Sequence, residues 1–201
     1  MIRITRWSCA VVAAVLLAPT ARGWDIYKVD PAHSCIGFAV DHMVINTVHG
    51  RFRQFEGSIA VDPENGNALK EAHAAIQAKS IDTDIAKRDD HLRSADFFDV
   101  EKFPTITFEG HEIKKEGNEQ VLVGKFTMHG VTKEVSLPFT LKGPVKAMGG
   151  TRLALAVKTK LNRKDYGMTW NKLLEAGGLM VGEDIAVQID AEFVKESAER
   201  K

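Results

Sequence analysis

The chain has 201 residues, 44% of them hydrophobic, with 27 basic and 27 acidic side chains; that is enough for one domain with a buried core. This balance of charge excludes the basic footprint of a nucleic-acid binder and the polybasic patch of a protein held on anionic headgroups. With only two cysteines, Cys9 and Cys35, a scaffold built on disulfides is excluded as well.

Residues 1–23 read as a cleaved secretory signal. Arg3 and Arg6 precede an apolar run over 7–18, Pro19 breaks it, and Ala21-Arg22-Gly23 offers small residues to a signal peptidase. The run is too short for a membrane anchor, which needs roughly 20 apolar residues, and Cys9 lacks the small residues that precede a lipidation site. Cleavage removes Arg3, Arg6 and Arg22, leaving 24 basic against 27 acidic side chains, a net charge of −3. The exported domain then covers 24–195 and ends in a charged tail, 196–201. Cys35, its single cysteine, lies in a strand-like run and reads as a small buried hydrophobe.

From Trp24 onward the pattern is strand after strand. Ile36, Phe38 and Val40 alternate with Cys35, Gly37 and Ala39, so one face is bulky and the other small. Phe52 and Phe55 lead into a strand over 57–61, and Asp62-Pro63-Glu64-Asn65-Gly66-Asn67 is a turn. Residues 71–79 are alanine-rich but end without a C-cap glycine, so they read as a strand with Ala72, Ala74, Ile76 and Ala78 on one face. Next comes a polar helix over 85–95, with Asp82, Thr83 and Asp84 as N-cap candidates. Phe97-Phe98 and Lys102-Phe103-Pro104 follow, and the proline forces extended chain into a strand from Thr105. A short helix is thereby pinned by two adjacent aromatics, the expected form of a lid over a barrel end.

A hairpin over 105–113 and 120–128 turns around Gly117-Asn118. His129-Gly130 turns the chain into a strand over 132–141, where Pro138 calls for an edge position or a bulge. A strand over 152–161, an excursion over 162–182 with a helical turn, and a strand over 183–193 complete the chain. Roughly eight mostly antiparallel strands fit a small closed barrel, which leaves no exposed edge.

Chemical motifs are sparse. Seven histidines carry no metal-ligand spacing, and no nucleophile elbow, phosphate loop or dinucleotide fingerprint occurs. On a helix, Arg88 falls one turn from both His91 and Asp84; the group is either a solvated face or a polar cluster at a cavity mouth. Asn162, Arg163 and Asp165 either cap a turn or form a second polar cluster. Ten phenylalanines serve a filled core or a hollow one equally well.

Residues 88–110, RDDHLRSADFFDVEKFPTITFEG, resemble the signature of the YceI-like family, periplasmic lipid-binding proteins with a lipocalin-like barrel. So do YKVDPAHS (27–34), the stretch from His42-Met43 through Gly50-Arg51-Phe52, MHGVTK (128–133) and NRKDYGM (162–168), in the same order and spanning the whole exported part. The resemblance implies an all-β fold with short helices: an eight-stranded antiparallel barrel with a helical lid, periplasmic, holding a polyisoprenoid, quinone-like or fatty-acyl lipid inside. On that reading strand parity assigns the lining to Phe38, Val40, Ile76, Phe108, Phe126, Leu137, Phe139, Leu155 and Val157. The lid pair Phe97 and Phe98, together with Met168, Trp170, Leu173 and Leu179, closes one end. The headgroup candidates are His42, Arg88, His91, Asn162, Arg163 and Asp165. Neither a catalytic set, nor a metal, nor a cofactor beyond the bound lipid is implied; transient membrane contact and a homodimer fit the resemblance. The rivals are an enzyme acting on such a lipid through His91 or His42, and a structural protein whose barrel is packed solid.

Overall fold

The computed structural model describes residues 23–196, apart from 67 and 176. The leader and the tail from 197 on therefore lie outside the described residues. The strands are β1 (Asp25–Val29), β2 (Cys35–His42), β3 (Asn46–Phe52), β4 (Phe55–Val61), β5 (Leu69–Gln77), β6 (Ile81–Asp82), β7 (Thr105–Glu116), β8 (Glu119–Met128), β9 (Val131–Ala147), β10 (Gly150–Asn162) and β11 (Val181–Lys195), with one helix, α1 (Ala86–Arg93).

These segments make eight staves of a closed barrel. β1 and β2 are one stave interrupted by a 3-10 turn at Pro31–His33, since Tyr27 pairs with Lys195 and Ile36 with Ile189 of the same β11. β3 and β4 form the second, broken at Arg53-Gln54, and β5 with β6 the third. Every following stave pairs antiparallel with its chain neighbour, and β11 returns to β1, so the sheet has no open end. Each stave is thus paired on both sides over at least part of its length, the physical gain that closure brings.

Expected turns fall where the local chemistry put them, at Gly117-Asn118 and at His129-Gly130, whose φ values of 51° and 74° are left-handed. Pro138 sits on a locally free side of β9. Pairing with β10 ends at Phe139↔Val157, so β9 before that point is bonded only to β8 and no ladder donor is lost. The strand expected over 71–79 is present as Leu69–Gln77, but Ala78–Ser80 turn away from it as a 3-10 helix; its partner β7 supplies the ladder that the alanines' helix propensity does not.

Two local expectations are corrected. α1 begins at Ala86 with Ile85 at its N-cap, and none of Asp82, Thr83 or Asp84 caps it. The bond runs the other way: buried Asp89, inside the helix, accepts from the Thr83 amide (2.9 Å) and hydroxyl (2.5 Å). Cys35 is exposed, not buried, because it has the parity opposite to Ile36 and so faces outward on β2.

All strand connections divide between two ends. The β2–β3 turn, the 83–104 lid, His129-Gly130 and the 163–180 excursion gather at one end. The 62–68 turn, Gly117-Asn118 and Met148-Gly149 gather at the other. Two buried clusters divide the interior in the same way: Tyr27, Ile59, Leu122, Phe139, Leu153 and Phe193 toward the floor, and Ile36, Phe52, Ile81, Ile106, Tyr166 and Met168 toward the lid.

Candidate ligand cavity

The side chains that alternate inward do not meet at the barrel axis. They enclose a cavity of about 220 Å³ that touches both clusters, far beyond the water-sized voids of a close-packed interior. Its wall is hydrocarbon drawn from every stave: Val29, Ile36 and Phe38, then Phe52 and Ile59, Ala72 and Ile76, Ile106 and Phe108, Leu122 and Phe126, Val135 and Leu137, Leu155 and Val157, Val187 and Ile189. Glu56 and His73 also border it, but both are exposed and have the opposite strand parity.

Glycines shape this wall. A Cβ on Gly50 would lie 2.3 Å from the Phe38 ring, and one on Gly124 would lie 2.7 Å from the Phe108 ring. Gly110 and Gly124 face each other across β7 and β8, which lets the Phe108 ring lie against the staves.

Among the candidates read from sequence, Phe38, Val40, Ile76, Phe97, Phe98, Phe108, Phe126, Leu137, Leu155, Val157 and Met168 line the cavity, as does Arg163. Phe139 points inward but is packed into the floor cluster. Trp170 stands outside, against Phe97 (5.2 Å between centroids) and edge-on to His91 (4.9 Å). Leu179 is half-buried and bridges to Leu173, which is exposed. Residues the sequence reading omitted, such as Ile36 and Ile106, share a strand face with Phe38 and Phe108, which it named, so the same parity carries them; Ile189 lines the cavity from β11, where no candidate was named. Leu92 of α1 lines the cavity from above, and nothing in a polar helix marks it in advance.

The polar candidates separate. Arg88 bends back onto Thr83, donating from Nε to the hydroxyl (2.7 Å) and from Nη2 to the carbonyl (2.6 Å), and makes no pair with Asp84. His91 holds Asp96 through Nε2 at 2.8 Å. Asn162 caps the Arg163–Tyr166 3-10 turn by accepting from the Lys164 amide, and it donates to Asp184. Asp165 pairs with Lys133 at 3.0 Å. These four, and half-buried His42, are absent from the cavity wall.

Arg163 is different. It is 2% exposed and reaches no carboxylate: Nε donates to the Gly182 carbonyl (2.8 Å), and Nη1 to those of Met168 (2.7 Å) and Trp170 (2.9 Å). Nη2 has only a 3.5 Å approach to Val181 and is the least committed nitrogen. Burial pushes the guanidinium below its ordinary value, and Glu183, itself tied to Lys164, works in the opposite sense. A cation solvated only by carbonyl dipoles thus stands at the lid end of an apolar chamber.

The one cluster of metal-type donors among the described residues, Asp30, His33 and Glu192, lies outside the cavity wall. Arg152 bridges both of its carboxylates, so a cation already occupies the centre of that group.

A closed antiparallel barrel around an apolar chamber, with a helical lid and one buried cation, defines a class of small β-barrels built to enclose a hydrophobic molecule. Comparison with known proteins is specific: residues 27–193 match the YceI-like domain, and the chain belongs to that family. It is 36% identical over 169 residues to the UPF0312 protein SAS2572 of Staphylococcus aureus strain MSSA476, an alignment covering 83% of this chain and 96% of the relative. Among solved structures, a YceI protein of Campylobacter jejuni superposes with a TM-score of 0.64 at 27% identity, over 79% of this chain and 90% of its own. Burkholderia cenocepacia BcnA (TM-score 0.68, 21% identity, 82% and 98% covered) shares the fold. So does a polyisoprenoid binding domain from Saccharophagus degradans (0.63, 15%, 85% and 98%).

Proposed function

We propose that this chain is a non-catalytic periplasmic carrier that holds a long-chain amphiphile, isoprenoid, quinone-like or fatty-acyl, in its barrel. The cavity carries this reading: a chamber walled by hydrocarbon from all eight staves stays dry or takes an apolar guest. That the Saccharophagus degradans neighbour is a polyisoprenoid binding domain accords with it. The order of basic, apolar and small residues over 1–23 supports export.

The ligand's polar end belongs with Arg163, whose Nη2 has a donor to spare at the lid. A phosphate, carboxylate or quinone carbonyl there satisfies the guanidinium that the fold leaves without an acid partner. The tail runs toward Phe139 at the floor. Each methylene taken out of water is worth roughly 0.8 kcal/mol, so the ligand does not escape into solvent. A bilayer offers similar burial, which keeps transfer between barrel and membrane near balance and suits a shuttle or buffer.

Native mass spectrometry of protein recovered from cells, with solvent extraction of what it carries, tests the reading. A stoichiometric lipophilic adduct is the expected result. A Phe108→Trp variant gives a second readout, because its emission shifts on lipid binding only if the chamber admits a chain. A clean apo mass with no spectral response to quinones, polyprenols or fatty acids would return the protein to a filled barrel or an enzyme.

A further inference from the structure

Two turns at the lid end end in apolar side chains directed at solvent. On the β2–β3 turn Val44 is 75% and Ile45 84% exposed, and on the 171–180 loop Leu173 is 82% exposed. The turns are joined: the Met43 amide donates to the Met180 carbonyl (2.8 Å), His42 pairs with Val181, and a Cβ on Gly178 would lie 3.3 Å from a Val44 methyl. Val44 has φ 63° and Met43 φ 53°. A β-branched residue in that region is strained, so the turn sustains strain while presenting a valine to water where Asn or Gly would be relaxed.

The protrusion is continuous with the cavity. Val40, three residues before Met43, and Val181, directly after Met180, both line the chamber. Leu173 bridges to half-buried Leu179, and half-buried Met180 follows it and leads directly into Val181.

Resting on the carrier reading above, we propose that Val44, Ile45 and Leu173 form a bilayer-docking tip that inserts into the acyl boundary and sets the lid end of the barrel against the membrane surface. Shape favours a bilayer over a protein partner. Two convex turn tips offer only a fraction of the ~800 Å² per side that a stable protein interface uses, whereas single projecting aliphatic side chains enter a bilayer without a matching surface. The charges beside them on the 171–180 loop, Lys172 and Glu175, oppose each other, so docking does not depend on anionic lipid. The tip gives the ligand an unbroken apolar path, which removes the water crossing that otherwise limits transfer.

Flotation of protein secreted from cells expressing the full chain, with phosphatidylcholine vesicles and with vesicles containing phosphatidylglycerol, tests the tip. The triple variant Val44→Ser, Ile45→Ser, Leu173→Ser is expected to lose about tenfold or more in partitioning to both, with its thermal unfolding and its extracted lipid content unchanged. A single Ile45→Trp variant is expected to shift to shorter emission wavelength with vesicles and to be quenched by brominated acyl chains. Equal flotation of triple variant and parent, or an unquenched Trp, overturns the proposal. So does a triple variant that floats normally but no longer self-associates, which would make the patch an interface between two copies. A Leu137→Trp variant, which blocks the chamber, is expected to lose the lipid but keep flotation, so failure of the carrier reading and failure of the docking tip are told apart.

Discussion

At the scale of single residues, the decisive side chains are those whose partners lie far away in sequence. Asp30 follows β1 as the cap of the Pro31–His33 turn, Arg152 belongs to β10 and Glu192 to β11; Arg152 donates to both carboxylates, and His33 contacts Asp30 at 2.9 Å. Hydrogen bonding from Arg152, and then from His33, holds the Asp30 carboxyl at about 2, below its ordinary 3.8. A carboxyl depressed by folding stabilises the protein fully above its unfolded value, and that contribution disappears as the pH falls through the folded value. An Asp30→Asn variant is therefore expected to melt at a lower temperature near neutral pH, with the gap to the parent closing between about pH 4 and pH 2. Thermal melts across that range check it; a gap that persists unchanged at the acid end contradicts the assignment. Cys35 teaches a related lesson. Its apolar neighbours predict burial, but parity on a barrel stave decides the face, and it faces out.

At the scale of elements, the excursion between β10 and β11 is held by one side chain. Arg163 ties Met168, Trp170 and Gly182 to its own turn through backbone carbonyls, while Asn171 bonds the Val181 carbonyl (2.7 Å) and amide (3.1 Å). Truncation by Arg163→Met strands several carbonyls in a buried site, a loss of about 1–3 kcal/mol. Urea unfolding reads that loss, and hydrogen exchange is expected to rise over 163–182 before the rest of the barrel. Uniform exchange, with no local opening, would show that the excursion is held by other contacts. The lid was legible as an element, since helix, paired aromatics and proline follow one another over 86–104. Its internal bonding was not, because Asp82, Thr83 and Asp84 all have capping chemistry yet none caps α1, and Thr83 donates instead to Asp89, which is buried in the folded lid.

At the scale of the whole molecule, the barrel is a wall one side chain deep whose interior was left incompletely filled. That predicts a linkage. A lipid that binds only the folded chain raises its melting temperature by mass action, about 2.7 kcal/mol at a hundredfold excess over Kd. Leu137→Trp, which fills the chamber, is expected to melt at least as high as the lipid-free parent and to be indifferent to added lipid. Calorimetry with and without lipid checks it. A lipid-dependent rise that survives in the variant would place the ligand elsewhere.

The sequence by itself determined the staves, their turns and the inward face, because a period of two and left-handed turn residues act within a few positions of the chain. It also supplied much of the chamber wall, since a correct inward residue carries its whole strand face; on β3, β4 and β11 none was named, and their part of the wall emerged only in the structure. The tertiary structure alone decided that the inward faces stop short of one another. It also separated Arg163 from Arg88, His91, Asn162 and Asp165, residues of the same polar type whose partners lie away from the chamber. Both outcomes depend on the distance between strands brought together from opposite ends of the chain, and on how lid and excursion seat over the barrel mouth; no local pattern of residues encodes such distances.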